Sequence, residues 1–302
     1  MRVFLTGATG YVGSRVARKL MAAGHTVVGM VRNEERRAAL PHSVEAVVAD
    51  LADPATVVNA TKPADAVLHL GFPSHGRDWA AAVAVERALL EALVAALAGG
   101  DKALVVSNGT AFYGSSKDQL LAESTVPEPG HPAAIRADAT ALIHQASGLR
   151  SVELRLASFV YGAGGSVFLP RLAGYARRTG RSLYVGEGRS RVSAVHVDAA
   201  ADAYVAALAS PDARGIYHIA SDDAPSVRTL AEAVAVGTGA NPTSVTLEEA
   251  AAELDPFTAM FLALDNGLSS RRARRELGWE PAGHPSLLWD VAYGSYRDAA
   301  ES

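Results

Sequence analysis

The chain has no cysteine in its 302 residues. Disulfides, thiolate nucleophiles and cysteine-held metals are excluded, and the absence fits a reducing compartment. An excess of one charge is missing too. Against 28 Lys and Arg stand 32 Asp and Glu, a net charge of −4 with no long basic run. Neither nucleic acid nor an anionic membrane is expected as a partner. There is no apolar stretch of roughly 18 residues, the length that suggests a membrane span. Trp79–Ala98 comes nearest, and Glu86, Arg87 and Glu91 interrupt it. The opening run Val3–Leu5 is too short for a secretion signal and breaks at Thr6-Gly7, so a cytoplasmic location is expected. The nine histidines show no metal-ligand spacing, and no metal is expected.

What is present is 49% hydrophobic, enough for a sizeable core. The first two-thirds alternates short apolar runs with helical patterns. Strands are predicted at Arg2–Thr6, Thr26–Val31, Val44–Ala49, Ala66–Leu70, Ala103–Ser107 and Val152–Leu156. These runs are continuously apolar rather than alternating, as in parallel strands buried on both faces. Helices are predicted near Tyr11–Ala23, Glu34–Leu40, Pro54–Ala60, Trp79–Ala98 and Ala133–Ser147. The alternation implies βαβ crossovers and a doubly wound parallel sheet. After about Ala157 helical patterns and Gly-rich loops dominate. Two strand-like runs, Val192–Val197 and Ile216–Ala220, read as chain returning to the sheet edge. The expected division is a dinucleotide-binding domain over 1–157 with a return segment 192–220, and a smaller interleaved substrate lobe over 158–191 and 221–302.

The strongest motif is Thr6-Gly7-Ala8-Thr9-Gly10-Tyr11-Val12-Gly13, between a predicted strand and a predicted helix. Gly7 permits the tight turn, Gly10 admits a pyrophosphate to the backbone, and Gly13 lets helix and strand pack closely. The helix N-terminus offers free N–H groups to the phosphates. The expected fold class is therefore α/β, of the Rossmann type. At the tip of the second strand, Gly29-Met30-Val31-Arg32-Asn33 has no acid to bind a ribose 2′-hydroxyl. Arg32 can pair with a 2′-phosphate, so NADP(H) is expected over NAD(H). Asp50-Leu51 ends the third strand, and Asp50 either borders the adenine or caps the next helix. Leu70-Gly71-Phe72 ends the fourth, where glycine lets backbone reach a cofactor.

At this point the chain resembles the extended short-chain dehydrogenase/reductase superfamily over nearly its whole length. The carriers are TGATGYVG, Asp50-Leu51, His69-Leu70-Gly71, Ser107-Asn108-Gly109-Thr110-Ala111-Phe112-Tyr113-Gly114 and Arg155-Leu156-Ala157-Ser158-Phe159-Val160-Tyr161-Gly162. Val195-His196-Val197-Asp198-Ala199-Ala200 and Glu276-Leu277-Gly278-Trp279 complete the set. The resemblance implies cofactor contacts from Ser107, Leu156 and Ser158. It also implies a Tyr-x-x-x-Lys pair for proton transfer, with a Ser or Thr orienting the substrate oxygen. That pair belongs in His131-Pro132-Ala133-Ala134-Ile135-Arg136-Ala137-Asp138-Ala139-Thr140, which contains no tyrosine and no lysine. Arg136 stands where the lysine would be and Pro132 where the tyrosine would be. Arg136 can hold ribose or phosphate but cannot shuttle protons near neutral pH.

Thr110 best matches the Ser/Thr position, and Tyr113 is the candidate acid beside it. Tyr161, His75 and Trp79 are expected near the substrate, and Arg191 near an anionic group. The leading expectation is an NADPH-dependent reductase of a carbonyl or conjugated small molecule. Two other classes stay open: a non-redox NADP-binding sensor or partner-binding protein, and a lyase, isomerase or cyclase reusing the fold. Trp79–Ala98 and Ala133–Ser147 are apolar around much of their circumference, and the expected use of the spare faces is a homodimer.

Overall fold

A computed structural model describes residues 1–110, 113, 119–127, 132–166, 168–221 and 223–297, with the backbone alone at 132 and 133. The first part runs β1 (Arg2–Thr6), α1 (Tyr11–Ala22), β2 (Thr26–Val31), β3 (Glu45–Val48), α2 (Pro54–Thr61) and β4 (Ala66–His69). It continues α3 (Trp79–Leu97), β5 (Ala103–Gly109), α4 (Pro132–Gln145) and β6 (Arg150–Leu156). The predicted helix at Glu34–Leu40 is a 3-10 segment, Glu34–Ala39, started by the Asn33 side chain accepting from Arg36 N. It buries none of its residues, so no packing rewards a full α-helix.

The second part runs β7 (Phe159–Tyr161), α5 (Leu169–Thr179), β8 (Arg181–Val185), β9 (Ala194–His196), α6 (Val197–Ala209) and β10 (Gly215–Ile219). It ends with α7 (Val227–Thr238), β11 (Asn241–Val245), α8 (Leu247–Glu253), α9 (Pro256–Ala263), α10 (Arg271–Leu277) and α11 (Leu287–Tyr293).

Seven strands form one parallel sheet in the order β10-β6-β5-β4-β1-β2-β3. Alternate residues serve opposite faces. Val3, Leu5 and Val27 pack with Val16 and Leu20 of α1 and Tyr204 of α6. Phe4, Val28 and Met30 pack with Val57, Leu89, Leu93 and Ile143. Burial on both faces is why the strands read as continuous apolar runs. The chain leaves β1 towards β2 and β3, then returns to build outward through β4, β5 and β6. The switch point between β1 and β4 opens a crevice at the strands' carboxyl ends.

Two expectations are corrected. Of the two returning runs only β10 reaches the main sheet, with Gly215 opposite Val152. β10 fills the edge beside β6, and β9 instead pairs with β7, Phe159 opposite Ala194, in a separate two-stranded sheet. Nor does the whole of 221–302 build the second lobe. Leu268, Ala273, Leu277 and Trp279 join the core of the main sheet, and Trp279 Nε1 donates to the Ala199 carbonyl of α6. The second lobe has its own core of Phe159, Phe168, Leu230, Phe261, Val291 and Tyr296.

The edge strand carries a buried titratable group. His218 is 2% exposed, and burial, then the nearby Arg155 charge, lowers its pKa from 6.5 to about 4. The folded value lies below the unfolded one. Neutral His218 therefore stabilises the fold above pH 6.5, and this is lost as pH falls towards about 4. The expected loss is roughly 3 kcal/mol. Urea midpoints measured between those pH values should fall in the parent chain and fall much less in His218→Asn. Equal slopes for the two would remove His218 as the cause.

Candidate cofactor and substrate site

The crevice holds a cavity of about 630 Å³, within the roughly 300–1,000 Å³ usual for small-molecule sites. Its floor is the glycine loop. Gly7 has φ +70, and a Cβ there would lie 2.8 Å from Gly71 N. A Cβ on Gly13 would lie 2.0 Å from the Gly7 carbonyl oxygen. These glycines let the loop fold back under the first turn of α1. That helix starts at Gly10, with no side-chain cap and no acid in its first turn. Asp53, Asp78 and Ser226 cap α2, α3 and α7. The uncapped N–H groups of α1 thus face a cradle without side chains, which fits a pyrophosphate.

Thr6 ties the two strands of the switch point together. Its Oγ1 accepts from Leu70 N at 3.1 Å and Gly71 N at 3.0 Å, and lies 2.9 Å from His69 Nδ1. Gly7, Thr9, Gly10, Tyr11, Val12 and Gly13 line the cavity, as do Arg32, Asp50, Leu51, Leu70, Gly71 and Phe72. Ser107, Leu156, Ser158 and His75 line it as well. Asp50 is not the cap of α2, a role held by Asp53, whose Oδ1 accepts from Thr56 N. Arg36, Val160 and Ser166 also line the cavity and were not among the expected residues. Arg36 sits in the 3-10 segment just after Arg32, and that nearness in the chain is its signal. Val160 lies between the expected Ser158 and Tyr161, in the segment that carries the resemblance, whereas Ser166 lies on a return of chain that has no such signal.

The remaining candidates lie elsewhere among the described residues. Thr110 is fully buried, with its hydroxyl 3.0 Å from the Leu156 carbonyl and 3.2 Å from Asn266 Oδ1. It is a strand-end clamp and does not line the cavity. The Tyr113 ring lies under the Arg155 guanidinium, 4.2 Å from its carbon. Burial, and then the Glu153 charge, raises the Tyr113 pKa above that of an ordinary phenol. Tyr161 donates to the Pro285 carbonyl at 2.8 Å. The Trp79 ring packs at a tilt against Phe72, centroids 5.3 Å apart. Arg191 is paired with Asp265 through Nε at 3.0 Å and Nη2 at 2.9 Å. Ala111, Phe112, Gly114 and His131 lie outside the described residues.

Arg136 gives the largest departure. It does not line the cavity. It makes a two-pronged ion pair with Glu86, both bonds 2.8 Å, and a third bond to the Ser107 carbonyl at 3.1 Å. Glu86 is fully buried on α3, with His69 Nε2 3.7 Å away. Burial opposes its charge most strongly, but Arg136 and then His69 together hold the carboxyl below its usual pKa. The guanidinium also carries the Phe72 ring, 4.4 Å from its centroid. Arg136 therefore acts one layer behind the cavity, fixing a wall (Phe72) and the end of β5 (Ser107).

Comparison with known proteins decides the family. The model of the NAD dependent epimerase/dehydratase family matches residues 3–220. The chain belongs to this family. It is 31% identical over 310 residues to a 3-diazoavenalumate denitrifying reductase of a Streptomyces species, covering 95% of this chain and 97% of that protein. It is 32% identical over 327 residues to the 2′-dehydrokanamycin reductase of Streptomyces kanamyceticus, covering 99% and 87%. Among solved structures, the UDP-glucose 4-epimerase of Thermus thermophilus in complex with NAD superposes with a TM-score of 0.76 at 22% identity. That alignment covers 99% of this chain and all of the epimerase. The fold is thus of the kind that holds NAD in that epimerase. Among the described residues, no helix is long and apolar enough to cross a membrane.

Proposed function

We propose that this family member is an NADPH-dependent reductase of a carbonyl or conjugated small molecule. The observation that carries the cofactor choice is the pair Arg32 and Arg36 on the cavity wall after β2. No ion pair to a carboxylate is formed by either among the described residues. Two guanidiniums and no acid at this place suit a 2′-phosphate and leave a bare 2′-hydroxyl without an acceptor. A bound nicotinamide supplies a hydride. The chain's part is to hold the pyrophosphate on the α1 N–H groups and border the adenine with Asp50 and Leu51. Phe72, Leu156 and Val160 give the other end an apolar wall. Two relatives named as reductases support the redox reading. A homodimer along α3 and α4 belongs to it. The outward face of α3 offers exposed Ala80, Ala81, Ala84 and Ala88, and α4 offers Ile135, 49% exposed.

Calorimetry tests the cofactor choice. Arg32→Ala should weaken NADPH binding by roughly 1.5–3 kcal/mol, the range for charge-assisted hydrogen bonds, and leave NADH nearly unchanged. Equal losses for both would show that Arg32 does not read the 2′-phosphate. Loss of NADPH absorbance with a panel of ketones and enones tests the reaction. Substrate conversion without net cofactor change would favour an isomerase or lyase instead.

A further inference from the structure

Arg32, Arg36 and Asp50 mark the adenosine end of the cavity, so the nicotinamide end lies over β5 and β6. Two serines with buried partners line that end, Ser107 and Ser158. Their protons are directed in opposite senses. Asn266 is 1% exposed, and its Nδ2 donates to the Thr110 carbonyl at 3.1 Å. The amide is thereby oriented, and its Oδ1 faces Ser158 Oγ at 2.7 Å and Ser193 Oγ at 2.6 Å. Ser158 spends its proton on Asn266 and can only accept from the cavity.

Ser107 is arranged the other way. The Tyr204 phenol is fully buried and donates to Ser107 Oγ at 2.7 Å. It has no other hydrogen-bond partner among the described residues, and a buried hydroxyl proton has to be placed. Burial raises the Tyr204 pKa and keeps that proton on the phenol. Ser107 Oγ is therefore the acceptor in this bond, and its own proton is given to no described residue. Its carbonyl is held by Arg136, itself fixed by Glu86. The residue is anchored through both groups, with one proton left for the cavity. His75, the other proton-bearing candidate, is exposed on the loop after β4, and no side-chain bond aims it among the described residues.

We propose that Ser107 donates the hydrogen bond to the substrate oxygen on which negative charge builds, with Tyr204 as the positioning residue that turns the serine proton into the cavity. This rests on the reductase reading above. A carbonyl oxygen only accepts, so Ser107 suits it and Ser158 does not. In reduction the carbonyl carbon gains a hydride, the π pair passes to oxygen, and water supplies the proton of the product alcohol. Ser107 keeps its own proton and stabilises the charge.

The probe is 4-(dimethylamino)cinnamaldehyde, whose visible absorption moves to longer wavelength when its carbonyl accepts a hydrogen bond. With the NADP⁺-saturated full chain no turnover occurs, and the red shift reads the bond directly. The parent chain should show it. Ser107→Ala, brought to saturation with NADP⁺, should lose it, and with saturating NADPH its turnover of the aldehyde should fall about 10²-fold. Tyr204→Phe should weaken the shift, and Ser107→Thr should retain it. No shift in the parent or an undiminished shift in Ser107→Ala overturns the proposal. A Ser107-dependent shift without any NADPH oxidation upholds the hydrogen bond and defeats only the reductase reading.

Discussion

Glu86→Ala should cost about 3–5 kcal/mol of folding stability, the scale of removing one partner from a buried ion pair. The side chain of Arg136 is 13% exposed, against 0% for Glu86. Among the described residues, the guanidinium without the carboxylate keeps the Ser107 carbonyl and the Phe72 face, and neither neutralises it. Urea denaturation measures the loss. Replacing both charges, Glu86→Leu with Arg136→Met, should recover most of it, because apolar residues of similar volume avoid the desolvation cost. The double variant should nevertheless bind NADPH more weakly than the parent, since the Phe72 wall has lost its platform. A drop under about 1 kcal/mol in Glu86→Ala would mean that Arg136 finds water or another partner, a surface-like outcome.

Gly13→Ala should abolish dinucleotide binding, with affinity reduced at least about 100-fold, and should destabilise the chain by roughly 3 kcal/mol. A Cβ there would stand 2.0 Å from the Gly7 oxygen and 2.8 Å from the Gly7 carbonyl carbon. Both are backbone atoms of a loop held in place by Gly71, so they cannot swing aside as a side chain would. The loop has to lift, carrying the α1 N–H groups away from the cradle. Gly10→Val separates binding from folding. A Cβ at Gly10 would meet the Gly7 oxygen at 3.1 Å, and the branches would then project where a pyrophosphate lies. Folding should survive that substitution and binding should not. Calorimetry with NADP⁺ and thermal melts follow both variants, and parent-like affinity in Gly13→Ala would dismiss the loop as the phosphate site.

Local features of the site were legible because their physics is local. The glycine loop, the Arg32 tip and the Leu70-Gly71-Phe72 strand end each sit at fixed offsets from a strand. All of them line the cavity. Glu86 could have been noticed the same way. The buried residues of α3 are Ala82, Val83, Glu86, Leu89, Leu90, Leu93 and Leu97, so the glutamate lies on the apolar stripe. A carboxylate there demands a partner, although nothing near it in the chain says which. Thr110 misled for a related reason. It fits a motif position, but its hydroxyl is taken by the carbonyl of Leu156 and the amide of Asn266, 46 and 156 residues away.

The sequence by itself determined the strand–glycine–helix unit, the parallel sheet and the lack of any tyrosine or lysine in 131–140, where the resemblance puts the Tyr-x-x-x-Lys pair. Each depends on residue type, spacing or backbone freedom within a short stretch. Only the tertiary structure decided where the charges and protons of the site end up. Arg136 turns to Glu86 across 50 residues, Tyr204 to Ser107 across 97, and Asn266 to Ser158 across 108. A buried polar group must be satisfied by whatever packing brings beside it, and periodicity carries no record of that neighbour.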